Sequence, residues 1–163
     1  MALDLYRIDD RLIHGQVVVG WGQPLDLGFI VLVDDEVASS DWEQELYRMG
    51  VPPDMDVYFD AVDSAAEKLS RYQDDDRRGL LLTGDIATMT RLVDAADGAI
   101  SSVNVGGIHH RPGRTQRLRY VFLTPSEEAE LRALADKGLE VSAQDVPSAK
   151  PVPLEEMLAG NGS

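Results

Sequence analysis

Short apolar runs separated by polar turns recur along the whole chain, and their period switches between strand-like alternation and helical spacing. The first run, Leu3, Leu5 and Ile8, predicts a strand that leads into Asp9, Asp10 and Arg11. Ile13, Val17 and Trp21 then share one helical face, which sets a helix start at or near His14. The unbroken run Phe29-Ile30-Val31-Leu32-Val33 predicts a strand covered on both faces, as in a parallel sheet. Ser39, Ser40 and Asp41 offer caps for a helix through Met49, closed by Gly50 and by Pro52-Pro53. A strand over residues 56–59 and a helix over 62–72 follow, then a charged loop, Asp74 to Arg78. Gly79–Thr83 is the next strand, and Asp85 caps a helix over 86–96. Ile100–Val105 and Leu118–Leu123 read as further strands around a basic loop, His109 to Arg114. Thr124-Pro125-Ser126-Glu127 carries a capping-box pattern with proline at the first helical position, and that helix stops at Lys137-Gly138. Leu139–Ala143 predicts a last strand. Residues 1–147 are expected to form one domain, and 148–163 a tail that docks first and ends in disorder.

Strands alternating with helices imply βαβ units. The predicted fold class is α/β, a three-layer α/β/α arrangement with a mostly parallel central sheet of about six or seven strands. Ligands in such folds gather at the carboxyl ends of strands. Four strands here end in polar residues: Asp9 to His14, Asp34-Asp35, Thr83 to Asp85, and Asn104 to His110. His14 is the sharpest candidate. At a helix start, unpaired N–H groups favour an anion and disfavour a charged imidazole, and a neutral imidazole is a nucleophile. His14 therefore reads as a phosphoryl carrier, with Arg11 as phosphate ligand and Gly15 allowing close backbone approach. A carboxylate facing a phosphoryl group would repel it, so Asp9 and Asp10 are expected to orient or hold other residues. His109 and His110 are adjacent and complete no recognised metal-ligand spacing. The arginines at 111, 114, 117 and 119 form the one basic segment, either a solvated hairpin-like loop or a contact for a partner protein or a phosphorylated sugar. Trp21 and Trp42 are expected to pack as anchors.

The stretch Arg7-Ile8-Asp9-Asp10-Arg11-Leu12-Ile13-His14-Gly15-Gln16-Val17, with Trp21 beyond it, resembles the signature of the mannose/fructose/sorbose-family IIB components of the bacterial phosphoenolpyruvate-dependent sugar phosphotransferase system. Asn104-Val105-Gly106-Gly107-Ile108-His109 is a second match. The resemblance covers nearly the whole chain. It implies a protein-Nπ-phosphohistidine–sugar phosphotransferase. His14 would be loaded by a IIA protein and unloaded onto a sugar held by membrane IIC/IID permease components, with no cofactor and no metal. In the family the phosphoryl group sits on Nδ1; the residues alone do not choose between the ring nitrogens. Gly15, Gln16, Asn104, Gly106 and Gly107 are expected to line the phosphate, and Trp21 to support the histidine loop from beneath.

Composition narrows the classes further. A net charge of −14 argues against nucleic acid and against adhesion to anionic lipid. The chain has no cysteine, and no apolar run approaches the roughly 20 residues of a membrane span. A cytoplasmic domain without membrane insertion is therefore expected; a homo-oligomer stays open. Two alternatives remain: a regulatory phospho-acceptor that feeds no transporter, and a metal-assisted hydrolase.

Overall fold

The computed structural model describes residues 3–160, apart from the side chains of Asp4 and Gln16. The strand β1 (Leu3–Ile8) leads to α1 (Gly15–Gly20), and β2 (Leu27–Val33) leads to α2 (Asp35–Ala38) and α3 (Asp41–Arg48). Then come β3 (Asp56–Asp60), α4 (Val62–Gln73), β4 (Arg78–Thr83), α5 (Ile86–Ala96) and β5 (Ser102–Val105). The chain closes with β6 (Thr115–Leu118), β7 (Val121–Leu123), α6 (Pro125–Asp136), β8 (Glu140–Ala143), β9 (Val152–Pro153) and α7 (Leu154–Leu158).

The main sheet has seven strands in the order β3-β2-β4-β1-β5-β8-β9. All neighbours run parallel except β8 and β9, which pair antiparallel. Side-chain alternation divides the apolar residues of β2 and β4 between two cores. Phe29, Val31, Val33 and Leu81 belong to a core on one face that also takes in apolar residues of α4, α5, α6 and α7. Ile30, Leu32, Leu80 and Leu82 meet α1, α2 and α3 on the other. From β1 to β3 the chain moves one way across the sheet with its helices on the second face. From β3 to β8 it returns with helices on the first. The reversal leaves β1 between β4 and β5, so the carboxyl end of β1 lies at a switch point.

Several expectations are revised. Residues 118–123 are not one strand: β6 and β7 form a separate antiparallel ribbon that turns at Arg119-Tyr120. The arginines of this ribbon are tied down, Arg114 to Glu127 (2.8 Å), Arg117 to Glu128 (2.6 Å) and Arg119 to Asp145 (2.9 Å). The helix expected from the Ser39–Asp41 caps through Met49 is α3, with Ser40 as N-cap and Met49 as C-cap; the short α2 that Asp34 caps before it was not expected. Beyond Pro147 the chain adds β9 to the sheet and buries Leu154, Met157 and Leu158 of α7; the end expected to be disordered, 161–163, lies outside the described residues. Trp42 is not an anchor, being 70% exposed, whereas Trp21 is buried.

Candidate active site

The loop after β1 is stitched to both neighbours by backbone. Asp9 N donates to Thr83 O at the end of β4 (2.9 Å), and Asp10 N donates to Gly107 O beyond β5 (2.9 Å). Leu12 N returns to Asp9 O (3.0 Å) with Leu12 at φ 59°, the left-handed region that a bulky residue seldom adopts. This turn delivers His14 in extended conformation as the N-cap of α1.

His14 replaces the usual hydroxyl or carboxylate cap with a ring nitrogen: Nδ1 accepts from Val17 N–H at 3.1 Å. A nitrogen that accepts carries no proton, so the neutral ring holds its proton on Nε2. Nε2 is buried, with no hydrogen-bond partner among the described residues, while the residue as a whole is half-buried. Beside it Gly15 is exposed, and a Cβ there would meet nothing within 4 Å.

Arg11 is pinned by Asp9. Its Nε and Nη2 reach the carboxylate at 2.9 and 2.8 Å, a bidentate pair, and its backbone N–H donates to the same group at 3.1 Å. Asp9 is fully buried. Burial alone would raise its carboxyl pKa, but the Arg11 hydrogen bond and the charges of Arg7 and Arg11 outweigh that and hold it below the usual carboxylate value. The Arg11 guanidinium, hydrogen-bonded to Asp9, is held above its ordinary pKa.

Arg7 is the hub. Its side chain is wholly buried, with the guanidinium 4.4 Å from the Trp21 ring centre. It donates to Asn104 Oδ1, to the Gln144 carbonyl at 2.8 Å, and to Asp9 Oδ2 and the Asp145 carbonyl at 3.3 Å. Asn104 spends its other end on Gln144 Oε1 (3.2 Å). Gly106 and Gly107 give this cluster room. A Cβ on Gly106 would overlap the Arg7 guanidinium and sit 2.8 Å from Asp9 Oδ2; one on Gly107 would crowd Arg11 Nε at 3.2 Å. Asp10 faces the other way and clamps the second loop, accepting from His109 N at 2.7 Å with His109 Nδ1 2.6 Å from its other oxygen.

Asp9, Asp10, Arg11, Asn104, Gly106 and Gly107 thus join in one network beside the His14 loop, and the expectation for the Gln16 side chain lies outside the described residues. Asp34 and Asp85 serve as helix caps, and Asp35 pairs with Val62 N–H and Arg91. Arg7, Gln144 and Asp145 were not singled out from sequence. The signals were there: Arg7 is a charge inside an apolar strand two residues from Asp9, and Gln144-Asp145 directly follows β8, where the strand-end rule already pointed. Among the described residues no group of three or more His, Cys, Asp or Glu could hold a metal ion, and no helix is long and apolar enough to cross a membrane.

Fold and site together define a class: an open doubly wound α/β domain with a histidine in the loop at the switch point and, in the same loop and the strand before it, an Arg–Asp–Arg cluster built on the buried Arg7 and Asp9. Residues 3–163 match the profile of the PTS system sorbose subfamily IIB component, where PTS is the phosphotransferase system named above. The chain is 32% identical over 151 residues to the sorbose-specific EIIB component of Klebsiella pneumoniae, covering 91% of this chain and 90% of that one. It is 32% identical over 146 residues to the mannose-specific EIIAB component of Escherichia coli K12, covering 90% of this chain but 45% of that protein. Among solved structures, the IIB domain of the Klebsiella pneumoniae sorbose permease superposes with a TM-score of 0.85 at 28% identity, over 98% of this chain and 97% of that one. The manxB structure from Thermoanaerobacter tengcongensis gives 0.85 at 31% identity, over 96% and 95%. The chain belongs to the sorbose-subfamily IIB components of the PTS, phosphotransferase-system proteins of sugar uptake.

Proposed function

We propose that His14 Nδ1 accepts a phosphoryl group from a IIA donor and passes it to a sugar presented by membrane IIC/IID components. The observation that carries the reading is the ring's hydrogen bonding: Nδ1 accepts from Val17 N–H, so its lone pair is unprotonated, and the next residue, Gly15, is exposed. In the loading step the Nδ1–P bond forms as the donor's bond to phosphorus breaks, and Nε2 keeps its proton. The phosphoryl oxygens then take over the Val17 N–H that Nδ1 gives up. In the unloading step the sugar hydroxyl oxygen bonds to phosphorus, the hydroxyl proton is released, and Nδ1 recovers its lone pair. Phosphoryl transfer of this kind depends on positioning and charge stabilisation. Arg11 supplies fixed positive charge, and Asp9 and Arg7 fix Arg11.

The test is incubation with phosphoenolpyruvate, the general phosphotransferase proteins and a cognate IIA. An acid-labile, base-stable adduct should form on the wild-type chain and be absent from His14→Ala. Labelling that persists in that variant places the acceptor elsewhere and overturns the reading.

A further inference from the structure

Helix α3 turns its apolar residues to solvent. Trp42, Leu46 and Met49 lie at i, i+4 and i+7 on one face and are 70, 57 and 83% exposed, and no residue of the helix is buried. The opposite side holds the helix on by other means: Gln44 Nε2 donates to the Val37 and Ala38 carbonyls at 3.1 and 3.2 Å, and the Tyr47 ring packs on Phe59. Single exposed apolar residues are ordinary, but a contiguous row containing tryptophan marks a contact surface. The row lies on the same face of the sheet as α1. On that face a cleft lies between the α1 region (Val18, Val19, Gly22) and the segment that follows α3 (Pro52, Met55), with Asp26 and Asp54 also lining it and Val19 54% exposed. Because α2 and α3 follow the carboxyl end of β2, the row begins at the end of the sheet where His14 stands and runs away from it.

Charge selects the occupant. Asp41, Glu43 and Glu45 flank the row, Arg48 is engaged with Glu45 at 3.1 Å, and the whole chain carries −14. An anionic bilayer is repelled by such a rim, and a second copy would set acid against acid. The cytoplasmic loops of membrane proteins carry an excess of Lys and Arg. We propose that the Trp42–Leu46–Met49 row docks on the cytoplasmic surface of an integral membrane protein, into an apolar hollow bordered by Lys and Arg. This rests on the carrier reading of His14, since a permease is what such a carrier serves. The row acts as an anchor beside the acceptor, leaving His14 open to exchange.

The probe is inverted membrane vesicles from cells carrying the cognate permease, compared with vesicles from permease-deleted cells and with protein-free liposomes of the same lipid. Full-length wild-type chain should sediment with the first and with neither of the others. Trp42→Ser combined with Met49→Ser should weaken that binding about tenfold or more, as loss of an interface tryptophan does, with unchanged circular dichroism and unchanged loading of His14 by phospho-IIA. His14→Ala should still bind. The proposal is overturned if wild type fails to bind, if the double variant binds equally well, or if bare liposomes or permease-free vesicles suffice. It is also overturned if wild type sediments as a dimer that the double variant dissolves. Loss of His14 labelling alongside intact row-dependent vesicle binding would sink the carrier reading and leave the docking surface standing.

Discussion

Replacing Asp9 by asparagine tests the cluster that positions Arg11. The wild-type carboxylate is fully buried and accepts four hydrogen bonds, one from Arg7 and three from Arg11. Asparagine keeps the shape but removes the charge and turns an NH2 toward a guanidinium, leaving the buried Arg7 cation without its carboxylate partner. Breaking a buried pair from one side costs about 3–5 kcal/mol, a large part of the roughly 5–15 kcal/mol of a typical domain. With urea m-values of about 1–3 kcal/mol/M, the midpoint should fall by about 1–5 M, read from tryptophan fluorescence. The pH dependence follows from the depressed Asp9 pKa. The unfolded carboxyl, near its ordinary value of about 3.9, binds protons before the folded one does, so the Asp9 contribution is complete above pH ~4 and fades as pH falls through the folded pKa. The gap between wild type and Asp9→Asn should therefore be constant from neutrality to about pH 4 and narrow below it. A midpoint shift below about 0.3 M at neutral pH, or a gap unchanged into strong acid, would refute the account of Asp9 as the buried counter-charge.

Three further substitutions separate packing from exposure. Gly106→Ala would drive a methyl group into the Arg7 guanidinium and Asp9 Oδ2; a loss of about 1–3 kcal/mol is expected from overpacking, together with slower His14 loading, measured by urea unfolding and single-turnover phosphorylation. Trp21→Ala should cost about 3–5 kcal/mol through the cavity left beneath Arg7, whereas Trp42→Ala should stay within about 0.5 kcal/mol in the same urea assay.

The strands that build the site were legible because their chemistry is unambiguous: Phe29 to Val33 and Leu80 to Leu82 are apolar without interruption, and such runs fit only a covered parallel sheet. The elements that were misread lack local punctuation. Arg119-Tyr120 turns the chain without glycine, proline, asparagine or aspartate, so β6 and β7 looked continuous. Leu154, Met157 and Leu158 have helical spacing, but the neighbouring prolines at 151 and 153 suggested a docked tail without the strand and helix it forms. Trp42, Leu46 and Met49 share the spacing of a core face, and spacing does not reveal which side of a helix meets the sheet. The carboxyl-end rule located the polar loops, and their partners could not be read locally: Arg7 meets groups 97 to 138 residues away.

Arg7 binds Asn104 of β5 and two residues that follow β8, as well as the one that follows its own strand. Three strand termini are thereby riveted into one plate, and His14 stands on its margin. A perch braced in this way has little swing of its own; under the carrier role proposed above, the travel between giver and receiver would fall to the visiting proteins.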